Sequence, residues 1–129
     1  MKLRISLIAV LLASAGCTQY SSNLQVGNEQ IYTSLKDQRE ALRTVRQYEA
    51  LPAGAEVLGP VEAGRCHRSW VEKEPEESSL LIDLKVAAYA KGADGITDVK
   101  FSKDSGLNRN CWYILGATAV MFALPSKAE

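Results

Sequence analysis

Hydrophobic residues along this chain fall into three kinds of pattern, and each predicts a different kind of element. A dense apolar run, Ile5 to Ala13, opens the chain. From Thr18 to about Asn28 the chain is polar and has little to bury, which predicts a flexible tether. Between Glu29 and Arg43, Ile31, Leu35 and Leu42 could share one helix face, but Gln38 and Arg39 break the stripe. This segment is expected to extend the tether or to form a loose helix.

The third pattern begins at Leu42 and continues to Leu124. Leu42 to Tyr48 alternates imperfectly but is rich in strand formers, and Leu51-Pro52-Ala53-Gly54 supplies a turn. Glu56 to Gly64 reads as a second strand, with Pro60 marking it as an edge strand or a bulged one and Cys66 just past its end. Pro75 to Lys91 repeats Leu80, Leu81, Leu84, Ala87 and Ala88 at helical spacing, with Glu76 and Glu77 near the positive end of the dipole and Gly92 as a stop. Ile96 to Phe101 is a strand expected to place Thr97, Val99 and Phe101 on one face and Asp98 and Lys100 on the other. After a polar loop, Lys103 to Asn110, the nearly continuous apolar segment Cys111 to Leu124 predicts a central strand buried on both faces. The expected fold is α+β: a small four-stranded sheet in strand-strand-helix-strand-strand order, with one helix packed on a face.

The opening run gains meaning from its flanks. Lys2 and Arg4 precede it and Ser14-Ala15-Gly16-Cys17 follows it, the arrangement of a secretory signal. The run is too short to cross a bilayer, which takes about 20 apolar residues. Small residues directly before a cysteine resemble the lipobox of bacterial lipoproteins, although Ser14 stands where that motif usually has Leu. That resemblance implies cleavage before Cys17, acylation of Cys17 and anchoring in membrane lipid; Thr18, which is not Asp, implies the outer membrane under the lipoprotein sorting rule. The expected organisation is a signal peptide over 1–16, a lipidated N-terminus and tether over 17–41, a periplasmic domain over 42–124 and a frayed tail over 125–129. Fifteen basic residues balance 15 acidic ones in the whole chain, and losing Lys2 and Arg4 leaves the mature chain net acidic by two. No basic cluster remains of the kind that nucleic acid requires.

With Cys17 assigned to lipid, Cys66 and Cys111 form an even pair in an oxidising compartment, and a disulfide is expected. Closing that loop of 46 residues contributes about 4 kcal/mol in the chain-entropy account. Two separate buried thiols or a redox-active pair are the alternatives, and the latter lacks the usual Cys-x-x-Cys spacing. His67 beside Cys66 invites a metal or thiol site, but one His and two Cys fall a ligand short of closed zinc, and the plain expectation is a surface-loop histidine. Glu72, Glu74, Glu76 and Glu77 read as a solvated start of the helix rather than a cation site, and Asp94, Asp98 and Asp104 lack calcium-loop spacing. The chain has neither a phosphate loop nor a Gly-x-Ser-x-Gly elbow. No enzymatic activity, cofactor or metal is expected. A bridge would draw Trp70 and Trp112 to one end of the domain, as a partner-binding patch or as packing on the cystine.

Three local features between Glu56 and Ala123 resemble the RcsF family of outer-membrane lipoproteins, which sense envelope stress: Leu58-Gly59-Pro60-Val61 ahead of Cys66, Lys91-Gly92-Ala93-Asp94-Gly95-Ile96, and Cys111 ahead of an apolar strand with Gly116 and Ala119. The resemblance implies that family's fold, a Cys66 to Cys111 bridge and outer-membrane or periplasmic protein partners. The family has a second bridge, in whose place this chain carries Phe101 and Ala117, and a proline-rich tether, whereas residues 18 to 51 contain no proline. The functions in view are therefore a non-enzymatic interaction or stress-signalling module, a structural lipoprotein supporting outer-membrane integrity, and a thiol or metal-binding protein.

Overall fold

A computed structural model describes residues 23–27 and 33–126. The segment read as a signal peptide, Cys17 with its expected acylation, part of the expected tether and the end of the expected frayed tail lie outside the described residues.

Among the described residues the sheet has five strands rather than four, and two helices accompany it rather than one. In chain order the elements are β1 (Leu24–Gln25), α1 (Leu35–Thr44), β2 (Arg46–Gln47), β3 (Glu56–His67), α2 (Glu77–Ala90), β4 (Gly95–Ser105), a 3-10 turn (Leu107–Arg109) and β5 (Tyr113–Ala123). Their order across the sheet is β1-β3-β5-β4-β2. All neighbours are antiparallel except β2 and β4, which run parallel. The expected strand over Leu42 to Tyr48 shortens to β2, because Leu42 to Thr44 are the end of α1, which Ser34 starts by accepting from the Asp37 N–H at 3.1 Å. The broken stripe has a simple cause. Leu35 is 68% exposed and Leu42 42%, while α1 meets the core through the small Ala41 and the following Val45, both fully buried.

Part of the expected tether is also folded. Leu24 pairs with Cys66 and Gln25 with Arg65, placing β1 on the outer edge of β3. The Asn23 side chain donates to the Lys73 carbonyl at 2.8 Å, and its own carbonyl accepts from the Arg65 guanidinium at 2.8 Å.

β5 is central, as its apolar sequence implied, but only one of its faces is fully covered. Ala117, Ala119 and Met121 face α2 and join Val45, Val61, Leu80, Leu84, Ala87, Ala88, Ala93 and Ile96 in the core, while Thr118 on the opposite face is exposed. α2 ends as the sequence suggested: Gly92 at φ 79° lets its N–H reach the Tyr89 carbonyl and the Ala93 N–H reach that of Ala88. β4 departs from its expected alternation. A register shift between Thr97 and Lys100, with Asp98 at φ 53°, turns the strand, so Thr97 and Phe101 are not held in one continuous alternating row. Phe101 nonetheless lies directly opposite Ala117 in the β4–β5 ladder. β4 also runs on through Ser105, shortening the expected loop, and β3 runs through Cys66 to His67.

One ion pair joins the layers. Arg65 on β3 and Asp83 on α2 meet through two hydrogen bonds of 2.6 and 2.7 Å, with side chains only 11% and 12% exposed. Gln25 adds a hydrogen bond of 3.0 Å to the same carboxylate.

Two measurements check this arrangement. Asp83→Asn leaves Arg65 charged and short of its partner, and is expected to cost about 3 kcal/mol in denaturant unfolding, whereas Arg65→Met with Asp83→Leu recovers most of that loss. Reducing the disulfide is expected to cost a further ~2–4 kcal/mol, read as a lower melting temperature in the presence of reductant.

Candidate functional site

Three strand ends converge at one end of the sheet. His67 of β3 lies opposite Tyr113 of β5, and Ser105 of β4 lies opposite the same tyrosine. The two connections that leave this end, 68–76 and 106–112, therefore sit side by side, and they carry most of the residues the sequence singled out.

The Cys66–Cys111 disulfide joins them, with both cysteines buried and a Cα–Cα distance of 5.6 Å. The connection before Cys111 is tight. The N–H groups of Arg109 and Cys111 both donate to the Gly106 carbonyl at 2.9 Å, and Asn110 adopts a left-handed φ of 56°. Gly106 has no room for a side chain: a Cβ there would lie 2.5 Å from the Cβ of Cys111 and 3.1 Å from Ile114. Because both sulfurs are bonded, neither domain cysteine offers a thiolate for metal or nucleophilic chemistry.

His67 is buried, not a surface-loop residue, because β3 continues past Cys66 and carries it onto the sheet. Its ring lies 5.5 Å from Trp112, edge-on, and 5.0 Å from Tyr113, and its carbonyl accepts from the Trp112 N–H at 2.8 Å. Nδ1 has no hydrogen-bond partner. Lys103 places its ammonium 4.0 Å over the Tyr113 ring. Burial, reinforced by the nearby Glu74, raises the Tyr113 pKa above the ordinary tyrosine value. Among the described residues no three of His, Cys, Asp and Glu gather into a metal-binding group, and no helix is long and apolar enough to cross a membrane.

Trp70 sits at the tip of a turn built by its neighbours. The Glu72 carboxylate accepts the Arg68 backbone N–H at 2.8 Å and the Arg68 guanidinium at 3.1 Å, and the Glu72 N–H donates to the Ser69 carbonyl at 3.2 Å. The backbone bond from Arg68, helped by its guanidinium, lowers the Glu72 pKa below the usual carboxylate value. The expected solvated glutamate run thus divides its duties: Glu72 closes the Trp70 turn, Glu76 pairs with Lys73 at 2.6 Å, and Glu77 opens α2.

Trp70 is exposed, and Trp112 is about half exposed while still touching His67. Neither tryptophan is sequestered against the cystine. Four contributing residues escaped the reading of the sequence. Val71 and Leu107 add to the exposed apolar surface of the two connections, and Arg65 with Asp83 ties β3 to α2. Asp83 carried a usable signal, since it falls within the stripe of Leu80, Leu84 and Ala87 where a lone carboxylate needs a partner.

Comparison with protein families, with characterised proteins and with solved structures returns no match, so the likeness to the RcsF family stands on its local sequence features alone.

The Glu72 turn is open to a pH test. A carboxyl that titrates below its ordinary range in the folded chain stabilises the turn fully above that range, and the contribution is lost as the pH falls through the depressed folded value. Carboxyl NMR titration of Glu72 should place its midpoint under the unfolded value of about 4.3. Glu72→Gln should speed exchange of the Arg68 amide proton at neutral pH.

Proposed function

We propose that the mature protein is an outer-membrane lipoprotein, acylated at Cys17, whose bridged domain faces the periplasm and acts as a non-enzymatic interaction module in envelope-stress signalling. The observation that carries this reading is the Cys66–Cys111 bridge. It occupies both domain cysteines and so leaves Cys17, at the end of a signal-like segment, as the single cysteine without a structural assignment. A buried structural disulfide also belongs to an oxidising compartment, which accords with export.

The form of the disulfide end supports interaction rather than catalysis. Its exposed groups include Trp70, Val71, Leu107 and Trp112, which suit contact, while Arg65, Arg68, Glu72, Lys73, Glu76 and Asp83 are engaged in ion pairs that hold turns and layers. The signalling element of the reading draws on the resemblance to the RcsF family.

Intact mass of the protein from native membranes tests the anchor and the staple together. The expected result is a chain starting at acylated Cys17, with Cys66 and Cys111 alkylating only after reduction. A mature chain without lipid, or free thiols before reduction, overturns the corresponding half of the reading. Deletion should change the output of an envelope-stress reporter; a permeability defect with unchanged output would instead point to a structural lipoprotein.

A further inference from the structure

The place where the described chain begins bears on how the domain meets a membrane. β1 is antiparallel to β3, with Leu24 opposite Cys66, so Asn23 lies level with His67, at the end of the sheet that holds the disulfide. Asn23 is fixed there by Lys73 and Arg65. Cys17 precedes it by six residues. A fully extended chain covers at most ~3.5 Å per residue, so the covalent limit on the distance from Asn23 to Cys17 is about 20 Å.

That same end carries four exposed apolar side chains on two short, braced connections: Trp70 at 81% exposure, Val71 at 72%, Leu107 at 75% and Trp112 at 51%. Of the charged groups among them, Arg68 pairs with Glu72 and Lys73 with Glu76, Lys103 lies over the Tyr113 ring, and the exposed Glu74 and Arg109 are of opposite sign, so the face carries no basic cluster. Tryptophan flanked by aliphatic residues is the composition favoured at the level of lipid headgroups, where the ring buries its body and keeps its N–H wet. The opposite end of the sheet also exposes apolar residues, Leu51, Val57, Leu58 and Leu124, but it has no tryptophan and lies away from Asn23.

We infer that the disulfide end is a membrane-docking face, on which Trp70, Val71, Leu107 and Trp112 enter the interface of the same bilayer that holds the lipid on Cys17. This rests on the proposed acylation. The occupant is the phospholipid surface itself, met through aromatic and aliphatic insertion rather than through a basic patch. The domain then lies with its sheet end against the membrane instead of ranging at the end of a long tether.

Trp70 and Trp112 are the only two tryptophans, so fluorescence reports the face directly. The acylated full-length mature protein, its acylation verified by intact mass, is reconstituted into vesicles of phosphatidylethanolamine and phosphatidylglycerol, with and without bromine on the acyl chains. Both indoles should be quenched by brominated lipid, within about 10 Å of the headgroup boundary, and their acrylamide quenching should fall severalfold relative to the unacylated Cys17→Ser chain in solution. Trp70→Ser combined with Leu107→Ser leaves the disulfide and core intact, and should weaken the bromine quenching of Trp112. Absence of acyl chains on Cys17 sinks the anchor and the docking face together. An acylated, vesicle-bound protein whose indoles remain as open to acrylamide as those of the Cys17→Ser chain overturns the docking face alone. So do indoles that are shielded in native membranes but exposed in pure lipid vesicles, an outcome that would assign the face to a protein partner.

Discussion

The guanidinium of Arg65 is the junction on which the rest of this small domain depends. From one strand position it holds Asp83 on α2 through two hydrogen bonds and the carbonyl of Asn23 through a third, so sheet, helix and N-terminal segment are fixed by one group. Desolvating two charges is expensive, and a pair of well-packed aliphatic residues could hold the layers as well. An aliphatic pair could not, however, receive the Asn23 carbonyl or the Gln25 amide. What the charged pair adds is direction: the segment Asn23 to Gln25 has one place to dock, beside the disulfide.

The two ends of the sheet are stabilised differently, and the difference explains the staple. Around Val61, Ile96, Ala117, Ala119 and Met121 the helices supply Leu80, Leu84 and small alanines, and close packing is enough. Toward His67 and Tyr113 the helix-facing positions of β3 turn polar, with Arg65 and His67 replacing aliphatic residues. A domain of this size has little spare core, and that end would have few apolar contacts to hold it closed. The Cys66–Cys111 bond compensates by constraining the unfolded chain there, which leaves Trp70, Val71 and Leu107 free of packing duty.

How far the sequence announced this structure depended on whether the burying residues were large. α2 was legible because Leu80, Leu84, Ala87 and Ala88 repeat at helical spacing, and β5 because its apolar run could only be central. The disulfide was legible from cysteine parity, once Cys17 was set aside for lipid. α1 was legible only as a loose helix set beside a tether, because its leucines face solvent and its buried contact is an alanine. β1 was hidden because a two-residue edge strand has no period to detect, and β2 was legible only as a longer strand over Leu42 to Tyr48; both exist by pairing with β3 and β4. The burial of His67 was invisible because it turns on where β3 ends, and hydrophobic pattern marks strand centres better than strand ends. At the site, the two tryptophans were visible as residues, but the exposure of Trp70 depends on the turn that Glu72 closes and that of Trp112 on the tight connection after Gly106, neither of which hydrophobic pattern marks.

A short leash changes what such a surface must accomplish. Two tryptophans and two aliphatic side chains on a free domain would bind a bilayer weakly, because association costs translational and rotational freedom. Acylation at Cys17 would remove most of that cost, since a linker of six residues keeps the face at a high effective concentration near the membrane. Weak insertion then suffices to select one orientation out of many. The rigidity of the two connections matters for the same reason: the Glu72 bonds and the Gly106 turn fix the apolar groups before contact, so little ordering remains to be done when they meet the interface. An oriented domain presents the exposed part of β5 around Thr118, and the length of β3 from Glu56 to Ala63 that β1 leaves open, in a defined direction relative to the bilayer. Those surfaces, rather than the membrane-facing end, are then the ones a periplasmic protein would meet.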